Sequence, residues 1–192
     1  MVRKILYALI MVSLIMVAKQ VTAQNDIGEI VQSGGTMITS PAAAGSVEVR
    51  ISASQTAAEV TAVTMTVSSV EIYLASGWTR MAQGSTNKID LKQAVETPQT
   101  IATISGLNPG TYTQIRMTIS RVDVTAAAGK PLKATMSTNI ISFTQNYQVS
   151  ANNTTVLAIN FDMVKSIDSS LKDQVSFTPV AKLVYTRAPG VR

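Results

Sequence analysis

Apolar and polar side chains alternate with a period of two residues through most of the chain from Ser46 onward, and this pattern limits it to β-structure. In the stretch SVEVRISA, Val47, Val49 and Ile51 share one face, because successive side chains of a strand point to opposite faces. Similar segments recur between glycine, proline and asparagine turns, and none keeps a sustained helical period. The sequence therefore predicts an all-β fold, an antiparallel β-sandwich of about seven to nine strands.

Two long segments change phase partway along. In AVTMTVSSVEIYL the apolar residues move from odd to even positions at Ser68-Ser69, and TYTQIRMTISRVDV shows the same slip near Ser120-Arg121. A regular strand cannot bury both sets on one side, so we expect a β-bulge or bend at each point. Between these segments, Ala75-Ser76-Gly77 predicts a hairpin turn that leads into Trp78.

The sequence also predicts short helical turns and an interruption of one strand at a proline. Short helical turns are expected only around residues 90–96 or 166–172. The stretch VSFTPVAKLVY alternates throughout and predicts one strand. Because Pro179 has no amide hydrogen, that strand should have an edge or a bulge at the proline.

The first 23 residues predict export. A basic start at Arg3 and Lys4 is followed by an apolar run over 5–18 and by small side chains up to Ala23. The run is shorter than the roughly 20 residues that a membrane-spanning helix needs, so cleavage after Ala23 is the preferred interpretation. A retained anchor and a pilin-type leader are the alternatives. The predicted organisation is a signal peptide (1–23), a flexible lead-in (24–45), a β-sandwich domain (46–187) and a C-terminal tail (188–192), placed extracellularly or at the cell surface.

Missing residue types exclude most catalytic chemistry. The chain has no histidine and no cysteine, which removes Ser-His-Asp and Cys-His nucleophiles and the usual zinc ligands. The eleven acidic residues are scattered and form no EF-hand loop. Three of the sixteen basic residues lie in the leader, which leaves a net charge of +2 and no basic run. We therefore expect a non-enzymatic protein without cofactor, metal or nucleic-acid partner, free of disulfides.

Asn152 and Asn153 begin two overlapping glycosylation sequons in the sequence NNTT. A turn between two strands is a place where a glycan could be accommodated. Turn chemistry alone also accounts for both asparagines. Glycosylation at these positions is therefore one of two interpretations.

Trp78 and Asp162 are the binding candidates. Trp78 follows the glycine turn and could act as a platform on which a sugar stacks, or could cover the edge of the core. Asp162, with Asn160 and Lys165 nearby in the sequence, could hold a cation or orient a binding loop. The alternative is that Asp162 belongs to the polar outward face of a strand.

An ordered set of segments resembles a known family. The set consists of AVTMTVSSVEIYLASGWTRM, IDL, LNPGTYTQIRMTIS, PLKATM, VLAINFD and FTPVAKLV, within residues 46–185. It is similar to the exported prokaryotic domain-of-unknown-function family numbered 4382. The resemblance implies an immunoglobulin-like or prealbumin-like β-sandwich, often surface-attached, and it brings no catalytic residues. Many relatives carry a lipidated cysteine after the leader, and this chain has none.

These observations predict an exported, non-enzymatic module with a structural or adhesive role at the cell surface or outside the cell. Its partner would be a protein or glycan of the envelope or the extracellular space, with self-association left open. A glycan-binding domain is one alternative. The other is a filament subunit that donates a strand from the lead-in to a neighbour's sheet edge.

Overall fold

The computed structural model describes residues 43–54, 60–126, 129, 131–171 and 174–186. The predicted signal peptide, the lead-in up to residue 42 and the C-terminal tail lie outside these residues. Within the described ranges, no helix is both long and apolar enough to cross a membrane.

The described chain consists of strands with two one-turn helices. The strands are β1 (Gly45–Ala53), β2 (Val60–Leu74), β3 (Gly77–Arg80), β4 (Ala82–Gln83), β5 (Lys88–Asp90), β6 (Gln99–Leu107), β7 (Gly110–Ala126), β8 (Pro131–Lys133), β9 (Thr135–Met136), β10 (Ile140–Val149), β11 (Thr154–Phe161), β12 (Ile167–Leu171), β13 (Gln174–Phe177) and β14 (Ala181–Thr186). The helices are α1 (Gln93–Glu96) and α2 (Met163–Ser166). The all-β prediction is confirmed. Seven strands have six or more residues, and shorter strands raise the total above the expected seven to nine.

Two sheets carry the long strands. The first sheet has the order β14-β11-β1-β6-β4, and the second has the order β10-β7-β2-β3, with β5 also paired to β2 and β8 to β7. A small third sheet has the order β12-β13-β9. Most pairs are antiparallel, but β1 runs parallel to β11. The sequence could not reveal this direction, because alternation indicates which face of a strand is buried and not how its neighbour runs.

The inward faces of the two large sheets enclose one hydrophobic core. Val47, Val49 and Ile51 of β1 are fully buried, as their alternation predicts. The other sheets contribute side chains such as Met65, from β2, and Phe177, from β13. The core is therefore built from strand faces that the sequence pattern identifies.

Both predicted bulges are present, and they face each other. Val67 pairs with Ile119, which leaves Ser68 in β2 and Ser120 in β7 as the extra residues. The Ser68 hydroxyl donates to a β7 carbonyl at 3.2 Å, and the Ser120 hydroxyl donates to a β2 carbonyl at 3.3 Å. At the same level β2 changes partner from β5 to β3, and β7 changes from β8 to β10. Because of the paired bulges, β2 and β7 can each pair with two different strands along one edge.

The segment around Pro179 differs from its prediction. Instead of one strand, it forms β13 in the small sheet and β14 at the edge of the first sheet, with Pro179 between them. The proline therefore lies where the chain passes from one sheet to another. The helical turn expected near 90–96 is present as α1. The second turn, α2, shares only Ser166 with the expected range 166–172, because β12 begins at Ile167.

The corner between β6 and β7 carries the chain from the first sheet to the second. There the Tyr112 hydroxyl donates to the carbonyl oxygen of Asn108 at 2.9 Å. A tyrosine that bonds back to the backbone just upstream of its strand is typical of immunoglobulin-type sandwiches. This corner brings the turn at residues 108–110 close to the tip of the β2–β3 hairpin.

Candidate functional site

An aromatic and charged cluster lies on the outer face of the second sheet. After the bulge at Ser68, Val70 and Ile72 point into the core, so Glu71 and Tyr73 point outward. The two-residue turn at residues 75–76 then returns the chain as β3. We call the cluster of Glu71, Tyr73, Trp78 and Arg116 the hairpin patch.

Strand pairing brings the four side chains of the hairpin patch together. Trp78 pairs with Tyr73 across the hairpin, and Arg116 of β7 pairs with Glu71. Gly77 has a φ of +104°, a conformation that glycine adopts without strain, and this allows the tight turn before Trp78. The patch therefore depends on the bulge, which sets the phase of β2, and on the turn, which sets the register of β3.

Contacts within the hairpin patch hold its groups in place. The Tyr73 and Trp78 rings meet edge to face, with centroids 5.3 Å apart and an interplanar angle of 67°. The guanidinium carbon of Arg116 lies 4.2 Å from the Trp78 ring centroid, and Arg116 Nε lies 2.7 Å from Glu71 Oε2. Edge-to-face and cation–π contacts of this kind are favourable and directional. A partner would meet a surface that is already arranged.

A cleft adjoins the hairpin patch at Tyr73, whose side chain is 44 % exposed. The cleft has a volume of about 410 Å³ and lies between the hairpin tip and the β6–β7 corner. The residues that line it include Leu74, Thr111, Tyr112 and Thr113. The cleft is largely open to solvent and continues the surface on which Tyr73 lies. The patch and the cleft together form the candidate site.

Trp78 therefore lies on the outer face of the sheet rather than against the edge of the core. It is half-buried, and its neighbours are Tyr73 and Arg116. The sequence singled out Trp78 but not its three companions. The signal that could have found them is the phase shift in β2, combined with the two-residue turn that determines which residues face each other.

Asp162 has a structural role at the start of α2. Its Oδ1 accepts a hydrogen bond from the Lys165 amide at 3.2 Å, and its Oδ2 lies 2.9 Å from Lys165 Nζ. The hydrogen bonds from Lys165, with a further contribution from Lys182, lower the pKa of Asp162. Among the described residues, no group of three acidic side chains is arranged to hold a metal ion. Asp162 is thus a helix cap whose charge is balanced by lysines.

The two asparagines of the sequons occupy the turn between β10 and β11. Asn152 is exposed and has a φ of +58°, a conformation that asparagine tolerates in turns. Asn153 is half-buried, and its side-chain amide donates to the carbonyl of Ala151 at 3.0 Å. The sequon threonine of Asn152, Thr154, is exposed, whereas Thr155 is buried. Of the two sequon asparagines, Asn152 is the more exposed.

A second aromatic group lies between the edges of the two large sheets. Tyr112 and Tyr147 stack with centroids 5.9 Å apart, and Tyr147 and Tyr185 lie 6.4 Å apart. The hydroxyls of Tyr147 and Tyr185 are buried without a hydrogen-bond partner in the described part of the chain. Burial raises the pKa of Tyr147 well above its usual value. The stretch VSFTPVAKLVY alternates up to Tyr185, but alternation carries no information about the hydrogen bonding of a tyrosine hydroxyl.

Comparison with known proteins gives one match. Residues 44–179 match a family model described as a domain of unknown function, DUF4382, which covers 136 of the 192 residues. No curated protein and no solved structure matches the chain. The matched region contains the whole of the hairpin patch and the adjoining cleft.

Proposed function

We propose that this chain, which belongs to the DUF4382 family of domains of unknown function, is an exported, non-enzymatic module that adheres to a partner through the hairpin patch. The proposed location is the cell surface or the extracellular space. Export is supported by the basic and apolar leader of the sequence. The absence of histidine and cysteine from the whole chain supports a role in binding rather than catalysis.

The arrangement of the hairpin patch is the observation that carries this proposal. Tryptophan, tyrosine and arginine are the residue types most enriched among those that dominate binding energy at interfaces. Here one of each lies on the outer face of a sheet, and each is held by contacts within the chain. Groups that are already ordered lose little conformational entropy when a partner binds. The patch therefore has the composition and the rigidity of a binding surface.

A glycan is the partner class that the candidate site favours. A sugar presents an apolar C–H face, which packs against aromatic rings, and a rim of hydroxyl groups, which pair with charged and hydroxyl side chains. Tyr73 offers an exposed ring, Glu71 and Arg116 offer an acceptor and donors, and two threonines are among the residues that line the cleft beside them. Few polar groups around an apolar surface are typical of small-ligand sites. A protein partner would use the same aromatic and arginine groups.

Binding by the exported chain tests the proposal directly. The wild-type chain, Trp78→Ala and Tyr73→Ala would be sedimented with insoluble polysaccharides and with cell-envelope fractions, and applied to a glycan array. We expect retention of the wild-type chain and at least a tenfold loss of affinity in both variants, as for a dominant interface residue. Val184→Ala is the matched control, because Val184 is 49 % exposed on the other sheet.

Two results would overturn the proposal. One is equal retention of the wild-type chain and both patch variants, which would place binding elsewhere. The other is no retention of the wild-type chain by any polysaccharide or envelope fraction. Retention on envelope protein but on no polysaccharide would keep the adhesive role and exclude the glycan.

A further inference from the structure

Strand β10 forms one edge of the second sheet. Among the described strands it hydrogen-bonds only with β7, although it also approaches β14 of the first sheet. Its sequence, IISFTQNYQV, contains no charged residue and no proline over ten residues. It is the longest edge strand in the described part of the chain. Long, uncharged edges with free backbone groups favour pairing with another strand.

The other edges differ from β10 in this respect. The edge strand β14 of the first sheet is shorter, carries Lys182 and follows Pro179. The edge strand β3 of the second sheet has only four residues and ends at Arg80. Charge, proline and short length are the usual devices that keep edges from pairing. Only β10, among these edges, lacks all three.

The hydrogen bonds of Thr138 show which backbone groups of β10 point away from β7. The Thr138 hydroxyl bonds both to the amide of Ile140, at 3.3 Å, and to its carbonyl, at 3.1 Å. The amide and carbonyl of Ile140 therefore point away from β7. In an antiparallel strand, residues whose amide and carbonyl bond to the partner alternate with residues whose amide and carbonyl point away from it. The amides and carbonyls of Ser142 and Thr144 therefore also point to the open side of β10. The register shift after Thr144 ends this regular run.

We propose that two copies of this chain pair antiparallel through β10, with the two-fold axis at Phe143. Ser142 then lies opposite Thr144 of the second copy, and each pair exchanges two main-chain hydrogen bonds. The two second sheets join into one continuous sheet across the axis. Because the interface is isologous, it closes as a dimer.

Two further features favour a second copy as the occupant. An uncharged strand that pairs with itself brings no like charges together, whereas two copies of β14 would bring lysines close to each other. Beside β10, the side chains of Ile141, Phe143 and Leu183 are only half-buried between the sheet edges. Ile140 is 47 % exposed on the outer face. A second β10 would cover part of this apolar surface.

The molar mass of the chain in solution tests the dimer. Sedimentation equilibrium from micromolar to near-millimolar concentration should show twice the monomer mass for the wild-type chain. The double variant Ser142→Lys/Thr144→Lys should be monomeric, because it places lysines opposite lysines across the axis. The control Ser105→Lys, at an exposed position of β6, should remain dimeric. A monomeric wild-type chain, or a lysine variant that dimerises as well as the control, would overturn the proposal.

Disulfide trapping tests the register and does not depend on the folding of the lysine variant. The natural chain has no cysteine, so Ser142→Cys and Thr144→Cys each introduce the only thiol. Residues of a hydrogen-bonded antiparallel pair have Cα atoms about 5.5 Å apart, within the range of about 4.4–6.8 Å that a disulfide requires. A mixture of the two variants should form a cross-linked dimer faster than a mixture of either with Ser105→Cys. Equal rates would contradict this register.

The proposed dimer and the proposed binding role of the hairpin patch can be contradicted independently. The patch lies on β3, β2 and the facing part of β7, whereas β10 is the opposite edge of the second sheet. Loss of glycan binding in Trp78→Ala would not alter the molar mass. Ser142 is the cross-strand neighbour of Arg116, so Thr144→Lys alone, which lies beside Gln114, tests the dimer without adding a cation next to the patch.

Discussion

Tyr112 and Tyr147 stack on each other, but their hydroxyl groups differ in surroundings. Tyr112 donates to the carbonyl of Asn108, which holds the β6–β7 corner. The Tyr147 hydroxyl is buried and has no hydrogen-bond partner among the described residues. An unpaired buried polar group costs about 1–3 kcal/mol, whereas a typical hydrogen bond contributes about 0.5–1.5 kcal/mol. The Tyr112 hydroxyl therefore stabilises the fold, whereas the Tyr147 hydroxyl destabilises it.

The paired phenylalanine substitutions test this difference. We expect Tyr147→Phe to leave the free energy of unfolding unchanged or to raise it, because the ring stays and the unpaired hydroxyl leaves. Tyr112→Phe should lower it by about 0.5–1.5 kcal/mol. Urea denaturation of both variants measures the effect. Greater destabilisation by Tyr147→Phe than by Tyr112→Phe would show that the buried hydroxyl has a partner.

Gly45 is the residue at which the start of β1 passes closest to the β10–β11 connection. A Cβ atom at Gly45 would lie 2.4 Å from the carbonyl oxygen of Ser150, so backbone atoms would have to move. We expect Gly45→Ala to lower the free energy of unfolding by about 1–3 kcal/mol, as overpacking does. Gly84→Ala is the control, because its nearest backbone oxygen would lie 3.4 Å away. Equal thermal midpoints for the two variants would refute the close approach.

Among the individual residues of the candidate site, the sequence predicts only some. The sequence indicates Trp78 as a candidate because its aromatic ring follows a glycine turn. Arg116 and Glu71 come from strands far apart in sequence, and their 2.7 Å contact arises only from the register of β2 with β7. Asp162 was identified as well, but its carboxylate caps α2, a role that depends on where that helix begins.

The elements that determine the shape of the second sheet are the long strands β2 and β7 with their facing bulges. The phase slips in the sequence predicted both bulges, because burial on one face forces side chains to keep a period of two. The exchange of neighbours at the bulges could not be predicted, since it depends on loops that bring β3, β5, β8 and β10 alongside. For the same reason the sequence did not reveal the parallel pairing of β1 with β11 or the change of sheet at Pro179.

Hydroxyl removal at the bulges tests how these elements are stabilised. Ser68→Ala and Ser120→Ala each remove a hydrogen bond from a bulge hydroxyl to a carbonyl of the other strand. We expect each to lower the free energy of unfolding by about 0.5–1.5 kcal/mol. Ser105→Ala, at an exposed position of β6, should have almost no effect. If all three variants unfold at the same urea concentration, the serine hydroxyls do not stabilise the bulges.

For the whole molecule, the lack of histidine predicts an unusual pH profile. Histidine is the side chain that ordinarily titrates between about pH 5 and pH 8, so the free energy of unfolding should be nearly constant there. Hydrogen bonds from Arg50 and Thr100 lower the pKa of Glu48, and those from Lys165 lower the pKa of Asp162. A carboxyl whose pKa is lower in the folded state stabilises the fold above its unfolded pKa of about 4.

We therefore expect stability to fall as the pH drops below about 4, through the lowered pKa values of these two carboxyls in the folded state. Urea denaturation at a series of pH values measures the profile. In Glu48→Gln/Asp162→Asn the decline with acid should be shallower than in the wild-type chain. A marked change in stability between pH 6 and pH 8, or an unchanged acid decline in the double variant, would contradict this interpretation.

The emission of Trp78 tests most directly whether partners bind at the hairpin patch. Because Trp78 is the only tryptophan of the chain, its fluorescence reports on the patch alone. Titration with soluble fragments of a polysaccharide that retains the chain should change the emission and reach saturation. In Arg116→Ala, which removes the cation beside the ring, saturation should require at least tenfold more ligand. Calorimetric binding of the same fragments without any change in Trp78 emission would contradict a binding role for the patch.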